Sequence, residues 1–304
     1  MGIPEKSLMT SVERTHGIAS VLWVTFALNC LTALFEIVLG LTTHSMAILA
    51  DGFHSLSDGT SNIIGLIGIH VAGHPADKDH PYGHQKFETL ASVIIGAFLM
   101  MVCFGIIQRA AAALADPQLP VVTPVTFAVM AVTMAMNIFI VWYERRASRR
   151  FQSEFLISDS WHTMADIFVK IGVIVALIGV KMNLPILDPL FSIVIAVVIA
   201  AAAVSIVKRG SDILTDKAVL DPALIEAVVR KVGGVEDCHE IRTRGNRYAI
   251  YVDLHVLVDP KMSVEASHHL ASIIERDIKK DIEGVQDVVV HIEPTTHDHT
   301  LLTG

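Results

Sequence analysis

The first two thirds of the chain consist of long apolar runs separated by short polar connections. A helix that crosses a bilayer needs about 20 predominantly apolar residues, and six runs before Lys208 meet this requirement. They extend approximately over Ile18–Leu41, Ser45–Val71, Leu90–Ala115, Thr123–Tyr143, Trp161–Val180 and Ile186–Val207. The pattern predicts an α-helical membrane protein in which six transmembrane helices form one domain over residues 1–208.

The pattern changes after Lys208, where charged residues become frequent. Alternation with period 2 predicts strands there, and a period near 3.6 predicts helices. The predicted elements are a helix at 222–232, strands at 235–244 and 247–258, a helix at 263–281 and a strand at 285–292. Gly245 and Asn246, between the first two strands, are typical of a tight turn. The order α-β-β-α-β predicts a small α+β C-terminal domain over residues 209–304.

Basic residues mark one side of the predicted membrane domain. Short cytoplasmic loops of membrane proteins are enriched in lysine and arginine. The connections after the second, fourth and sixth spans carry Lys78, Lys86, Arg145, Arg146, Arg149, Arg150, Lys208 and Arg209, whereas the other connections carry Lys181. Both termini and the C-terminal domain are therefore expected in the cytoplasm. Compact loops, and no recognisable organellar targeting segment, favour a bacterial plasma membrane.

Composition narrows the class of protein further. Hydrophobic residues make up 52% of the 304 residues and charged residues 18%, with a mean hydropathy of +0.55, which is typical of a membrane protein. The net charge of -8, without a basic stripe, argues against nucleic-acid binding. Cys30, Cys103 and Cys238 are far apart and form no CxxC pair, so no disulfide framework is expected.

Two nearly identical polar motifs interrupt the second and fifth spans. They read ADGFHSLSD and SDSWHTMAD, and both follow the pattern Asp-x-x-His-x-x-x-Asp. Residues four apart share a helix face, so His54 pairs with Asp58. His162 and Asp166 form the second pair. Facing helices would then supply four nitrogen and oxygen ligands, a set that suits tetrahedral Zn²⁺. The ligand positions of the motif hold no Cys or Met, which argues against Cu(I).

The alternative interpretation is that these residues only join helices through polar contacts. An acid with an imidazole is a costly choice for that purpose, and ionisable residues inside a membrane are functional candidates by default. Asp51 and Asp159, which begin the two motifs, are less clear. They either orient the imidazoles or line the cytoplasmic side or the pore.

The connection after the second span, HPADKDHPYGHQKFETL, contains a second candidate metal site. Asp77, His80 and His84 fall at positions i, i+3 and i+7. His74, Asp79 and Glu88 crowd the same region and could compete for the metal. A solvated polar loop is the alternative.

The C-terminal domain contains a third candidate, in which histidines of strands and of a helix converge on one side of a small sheet. Two of its members, His291 and Glu293, alternate on the last strand and so point to one face. The predicted regulatory metal site consists of His239, His255, His268, His291 and Glu293.

These residues together resemble the cation diffusion facilitator family, metal/proton antiporters that export divalent metals. The similar segments, in order, are HSLSD, PADKDHPYGHQKFE, HTMAD, LDPLFSIVIA and HEIRTR…DLHVLVD…VVVHIEP. The resemblance implies a homodimer, with a transport site at His54, Asp58, His162 and Asp166 and with the loop and tail sites named above. A histidine at position 54 resembles the zinc-preferring members. Glu293 stands where the family often has Asp.

We therefore expect a Zn²⁺/H⁺ antiporter that exports metal from the cytoplasm, not an enzyme, with no organic cofactor. Imidazole must be neutral to bind metal, so the four membrane ligands can carry either Zn²⁺ or protons. Expected partners are the divalent cation, protons, membrane lipid and a second copy of the chain. Exporters of Fe²⁺, Mn²⁺, Co²⁺ or Cd²⁺ stay open as alternatives. A non-transporting metal sensor also stays open, whereas a metalloenzyme is disfavoured because the chain has no HExxH motif.

Overall fold

The computed structural model describes residues 11–42, 46–115, 123–182, 187–246 and 249–295. The chain divides into two compact units, Met1–Ser211 and Asp212–Gly304. Each unit is described by itself.

The described residues of the first unit form six long helices. They are α1 (Ser11–Thr42), α2 (Met46–Ala72), α3 (Lys86–Ala115), α4 (Pro124–Phe151), α5 (Glu154–Lys181) and α6 (Leu187–Leu214). Within the described residues, α1, α3, α4 and α6 contain segments long and apolar enough to cross a membrane. The two Asp-x-x-His-x-x-x-Asp motifs lie on α2 and α5. Several of the helices are longer than the predicted spans. Their polar end residues continue the helix but do not belong to the apolar run that was used to predict the span.

The ends of α4 show how local sequence sets a helix boundary. Thr123 caps the start, since its side chain accepts a hydrogen bond from the Thr126 N–H, and Pro124 occupies the first turn. Gln152 ends the helix in a left-handed conformation, with φ of 48°. Ser153 follows, and its Oγ accepts a hydrogen bond from the Leu156 N–H at the start of α5. This short connection folds α5 back against α4.

Large apolar side chains fill the interior of the helical unit and also cover its outside. Phe155 and Leu22 are fully buried in a cluster formed by α1–α5. Trp142, Met101 and Val197 are more than half exposed on the outer surface. An apolar exterior of this extent indicates a surface that contacts lipid.

The second unit has the predicted order α-β-β-α-β. Its elements are α7 (Pro222–Val229), β1 (Asp237–Asn246), β2 (Ala249–Val258), α8 (Val264–Asp281) and β3 (Val285–Pro294). The sheet order is β1-β2-β3, with β1 and β2 antiparallel and β2 and β3 parallel. Even-numbered residues of β2, such as Leu254, pack with Ile274 of α8 in the core. The odd-numbered residues of β2 therefore lie on the other face of the sheet.

The predicted turn at Gly245 and Asn246 is wrong. Both belong to β1, where they pair with Ile250 and Ala249, and Asn246 Oδ1 accepts a hydrogen bond from the Ala249 N–H. Residues 247–248, which the pattern assigned to the second strand, lie outside the described chain. The first helix, α7, also ends at Val229 rather than at 232.

Candidate metal centres

The intramembrane centre forms where α2 and α5 approach each other. Asp58 Oδ1 on α2 lies 3.5 Å from His162 Nε2 on α5. Asp166, one turn further along α5, is buried and interacts electrostatically with the His162 ring. The structure thus brings together three of the four predicted ligands. The side chains of His54 and Asp51 lie outside the described residues.

His162 has a ring nitrogen that the described protein does not satisfy. Its Nδ1 atom is buried and has no hydrogen-bond partner in the described part of the chain. Buried polar atoms are normally paired. The other ring nitrogen, Nε2, faces the Asp58 carboxylate, and an imidazole nitrogen beside a carboxylate can bind a divalent cation. This chemistry fits the predicted centre.

Asp159, whose role the sequence left open, lies in a polar layer next to the centre. Its carboxyl group is in contact with that of Glu144 of α4, and Asn62 of α2 donates to it at 3.5 Å. Asn62 also donates to Thr25 Oγ1 at 2.6 Å and accepts from Asn29 Nδ2 at 3.0 Å. The described contacts therefore connect Asp159 to α1, α2 and α4.

The loop between α2 and α3 brings Asp77, His80 and His84 together. One ligand atom from each lies within 4.8 Å of the others. Asp77 Oδ2 is 3.4 Å from His84 Nε2, and Asp77 Oδ1 is 3.6 Å from His80 Nδ1. Asp77 and His80 are exposed, and His84 is buried. The predicted ligands of the loop therefore do converge.

Local hydrogen bonds prepare these groups for a cation. The His80 backbone N–H donates to Asp77 Oδ1 at 2.7 Å, and this bond lowers the pKa of the Asp77 carboxyl. His84 Nδ1 lies 3.1 Å from the Pro75 carbonyl oxygen. If Nδ1 donates to this carbonyl, the Nε2 lone pair faces Asp77, and partners of this kind orient metal-binding imidazoles.

Glu88, named above as a competing ligand, is engaged elsewhere. Its Oε2 forms an ion pair with Arg14 Nη2 at 2.8 Å, and its Oε1 accepts a hydrogen bond from Ser153 Oγ at 2.6 Å. These contacts join α1, α3 and the α4–α5 connection.

The C-terminal cluster forms on the face of the sheet that α7 and α8 leave open. His239, His255 and His291 are neighbours in the register of the three strands. Glu293 connects them: its Oε1 is 2.8 Å from His255 Nδ1 and 3.4 Å from His291 Nε2, and its Oε2 is 3.4 Å from His239 Nε2. The ligand atoms of His239, His255 and Glu293 all lie within 4.8 Å of one another.

His268 does not join this cluster within one chain, so the expected convergence of strand and helix histidines is wrong here. His268 is exposed on α8. The core side chains of α8, Leu270 and Ile274, pack against the face of the sheet formed by the even-numbered residues of β2. His255 is odd-numbered and belongs to the opposite face. The alternation of the strand thus separates the two histidines.

The sequence patterns did not predict three acidic residues that lie near these centres. Glu240 sits at a bulge between His239 and Arg242, with φ of 46°, and its Oε2 lies 3.7 Å from His255 Nε2. Glu36 of α1 is buried and accepts a hydrogen bond from Ser55 Oγ at 2.6 Å. Glu144 of α4 reaches Asp159. An acid inside an apolar span was the available signal for Glu36 and Glu144, whereas a bulge has no comparable sequence signal.

Both units match descriptions of known protein families. The family description "Cation efflux transmembrane domain" matches residues 22–215, and "Cation efflux protein, cytoplasmic domain" matches residues 221–295. The matches therefore cover most of the chain and both of its units.

Relatives extend over most of the chain at modest identity. The "Uncharacterized transporter YdbO" of Bacillus subtilis is 29% identical over 267 residues, covering 86% of this chain and 90% of the relative. The "Manganese efflux system protein MneS" of the same species is 26% identical, covering 89% and 93%. "Metal tolerance protein C1" of Arabidopsis thaliana is 29% identical, covering 85% and 60%.

Among solved structures, the "Metal-bound C-terminal domain of CzcD transporter from Thermotoga maritima" is 27% identical. It covers 26% of this chain and 99% of that structure, with a TM-score of 0.24. The family matches confirm the resemblance read from the motifs. They also confirm the fold class, a helical transmembrane domain followed by a cytoplasmic α+β domain. The chain therefore belongs to the cation diffusion facilitator family, and it is a multi-pass membrane transporter for divalent metal cations rather than an enzyme.

Proposed function

We propose that this chain exports Zn²⁺ from the cytoplasm in exchange for protons, through a centre formed by His54, Asp58, His162 and Asp166. The observation that carries the proposal is the buried His162 ring. Its Nε2 lies 3.5 Å from Asp58, and its Nδ1 has no hydrogen-bond partner among the described residues. Nitrogen and carboxylate ligands without sulfur suit Zn²⁺.

The exchange follows from the chemistry of these ligands. An imidazole must release its proton to bind metal, and a carboxylate balances metal charge only when ionised. Metal loading and protonation therefore compete for the same atoms. Because α2 and α5 each supply half of the ligands, a relative movement of the two helices would open the centre to one side and then the other. A proton gradient would drive net export.

The loop and tail clusters are proposed metal sites that lie outside the transport centre. Asp77, His80 and His84 lie outside the predicted spans, and the His239–His255–Glu293 cluster lies in the second unit. We assign the tail cluster, with His291, to sensing of cytoplasmic metal in a homodimer. Cytoplasmic termini belong to the same proposal, on the basis of the arginines and lysines in alternate connections. Location in a bacterial inner membrane is proposed from the compact loops.

Transport by the full-length protein in proteoliposomes tests the proposal. With a zinc-sensitive dye inside and a pH gradient imposed, Zn²⁺ should enter in a pH-dependent manner. Asp58→Ala and Asp166→Ala should reduce the initial rate by at least about 100-fold, because each removes the charge of a proposed metal ligand. Glu154→Gln, at the start of α5, is the matched control and should transport normally. Undiminished flux in both aspartate variants contradicts the proposal.

Mn²⁺ export is the second candidate. Two relatives are named manganese efflux proteins, at 26% and 27% identity, and oxygen-rich centres accept Mn²⁺. Replacing Zn²⁺ by Mn²⁺ in the same assay distinguishes the two cations. A higher ratio of Vmax to KM for Mn²⁺ would transfer the assignment to manganese while leaving the centre unchanged.

A further inference from the structure

Two fully buried acids lie side by side between α4 and α5, outside the proposed transport ligands. Glu144 is 1% exposed and Asp159 is 2% exposed. The short connection at Gln152 and Ser153 folds α5 back on α4 and so places them together. Their carboxyl groups are in contact and interact electrostatically. We call these two residues the carboxyl pair.

The carboxyl pair requires a positive partner. Two ionised carboxylates in contact repel strongly in a buried site, and a hydrogen bond between them needs one proton. Glu144 Oε2 is buried and has no hydrogen-bond partner among the described residues. Joining two helices does not need two acids, because Ser, Thr or Asn serve that purpose at lower cost.

The position of the carboxyl pair relates it to the transport centre. Asn62 is one turn beyond Asp58 on α2, and Asp159 is about one turn before His162 on α5. Asn62 Nδ2 and Asp159 Oδ2 are 3.5 Å apart, just as Asp58 and His162 are. The carboxyl pair thus forms the next layer of the helix bundle, in the direction of the α4–α5 connection. That side carries Arg149 and Arg150 and is the expected cytoplasmic side.

We infer that Glu144 and Asp159 form an additional binding station for the divalent cation, between the cytoplasm and the Asp58–His162 centre. A divalent ion and two carboxylates are together electroneutral, which suits a site of low dielectric constant. When the ion moves on, one shared proton holds the carboxyl pair together. The inference rests on the proposed function, since the station serves a cation on its way to the transport centre.

The test is the concentration dependence of Zn²⁺ uptake by full-length Glu144→Gln protein in proteoliposomes. Glutamine keeps the size of the side chain and can still hydrogen-bond Asp159, but it removes one charge. An entry station predicts an apparent KM raised about tenfold, with Vmax within about twofold of the wild-type value. A merely structural acid predicts no change in KM. Asp159→Asn should reproduce the effect and covers the case in which Glu144→Gln does not fold.

The control variant changes another acidic residue of α5. Glu154→Gln removes a carboxylate of α5 outside the carboxyl pair and should leave KM and Vmax unchanged. A wild-type KM in the folded variants, or a loss of Vmax without a change in KM, overturns the station. Absence of metal flux in the wild type, or undiminished flux in both Asp58→Ala and Asp166→Ala, refutes the proposed function instead, so the two failures are distinguishable.

Discussion

At the scale of single residues, the helical unit contains a buried positive charge close to its proposed ligands. Lys170 is 8% exposed, and its Nζ donates a hydrogen bond to Thr133 Oγ1 of α4 at 2.8 Å. It follows Asp166 by four residues on α5, and such residues are about 6 Å apart at their Cβ atoms. The ammonium group and a divalent cation held by Asp166 repel each other, and the repulsion is strong in a site of low dielectric constant. Lys170 should therefore weaken metal binding and favour release.

Lys170→Met is expected to lower the apparent KM for Zn²⁺ by about threefold or more, because the opposing charge is removed. The measurement is the concentration dependence of uptake in proteoliposomes. Thr133→Val is the matched control, since it removes the hydrogen-bond acceptor and keeps the charge. A KM that is unchanged or raised in Lys170→Met would show that this lysine is structural.

At the scale of elements, the centre depends on close packing of α2 against α5. Gly65 of α2 faces Phe155, which is fully buried at the start of α5, and a Cβ added at Gly65 would overlap the phenyl ring. The glycine therefore allows the two helices to approach. Asp58 and His162 lie on the same two helices, so the contact between Gly65 and the Phe155 ring helps to set the distance between them.

Gly65→Ala should lower the melting temperature of the protein in detergent, because overpacking costs about 1–3 kcal/mol. Gly105→Ala on α3 is the control: a Cβ there meets nothing within 4 Å, so it reports helix propensity alone. Adding Phe155→Leu to Gly65→Ala should restore much of the loss. If Gly65→Ala and Gly105→Ala melt alike, the packing argument fails.

At the scale of the whole molecule, the chain combines two units with separate cores. Among the described residues, the C-terminal core that includes Ile225, Leu254 and Ile274 is formed by residues 219–292. Its histidine row and Glu293 occupy the sheet face opposite to α8. The two sets of proposed ligands lie in different units. A mutation in one set should therefore leave metal binding by the other set intact.

Glu293→Gln should weaken one Zn²⁺-binding equivalent of the full-length protein by at least about tenfold, since even indirect partners of metal ligands have effects of that size. Equilibrium dialysis at neutral pH measures it, with Glu265→Gln on the exposed side of α8 as control. Asp58→Ala should retain this equivalent. Equal binding by wild type and Glu293→Gln would exclude Glu293 from the site.

The sequence by itself determined the features that depend on neighbouring residues along the chain. Apolar runs predicted the six long helices, and alternation predicted the order of elements in the C-terminal domain. The spacing of His162 and Asp166 defined one helix face without knowledge of packing. The loop ligands also converged as expected, since Asp77 and His84 are only seven residues apart. In each case the feature depends on residues that are close in the sequence, where the geometry of a helix, strand or short loop fixes their relative positions.

Only the tertiary structure decided which distant groups meet. The contact of Glu144 with Asp159 depends on how the α4–α5 connection folds one helix against the other. A bulge, not the strand pattern, brings Glu240 to His255, and the choice of sheet face for α8 removes His268 from the cluster. These outcomes follow from helix packing and strand register, which minimise the free energy of the whole unit and which no local period encodes.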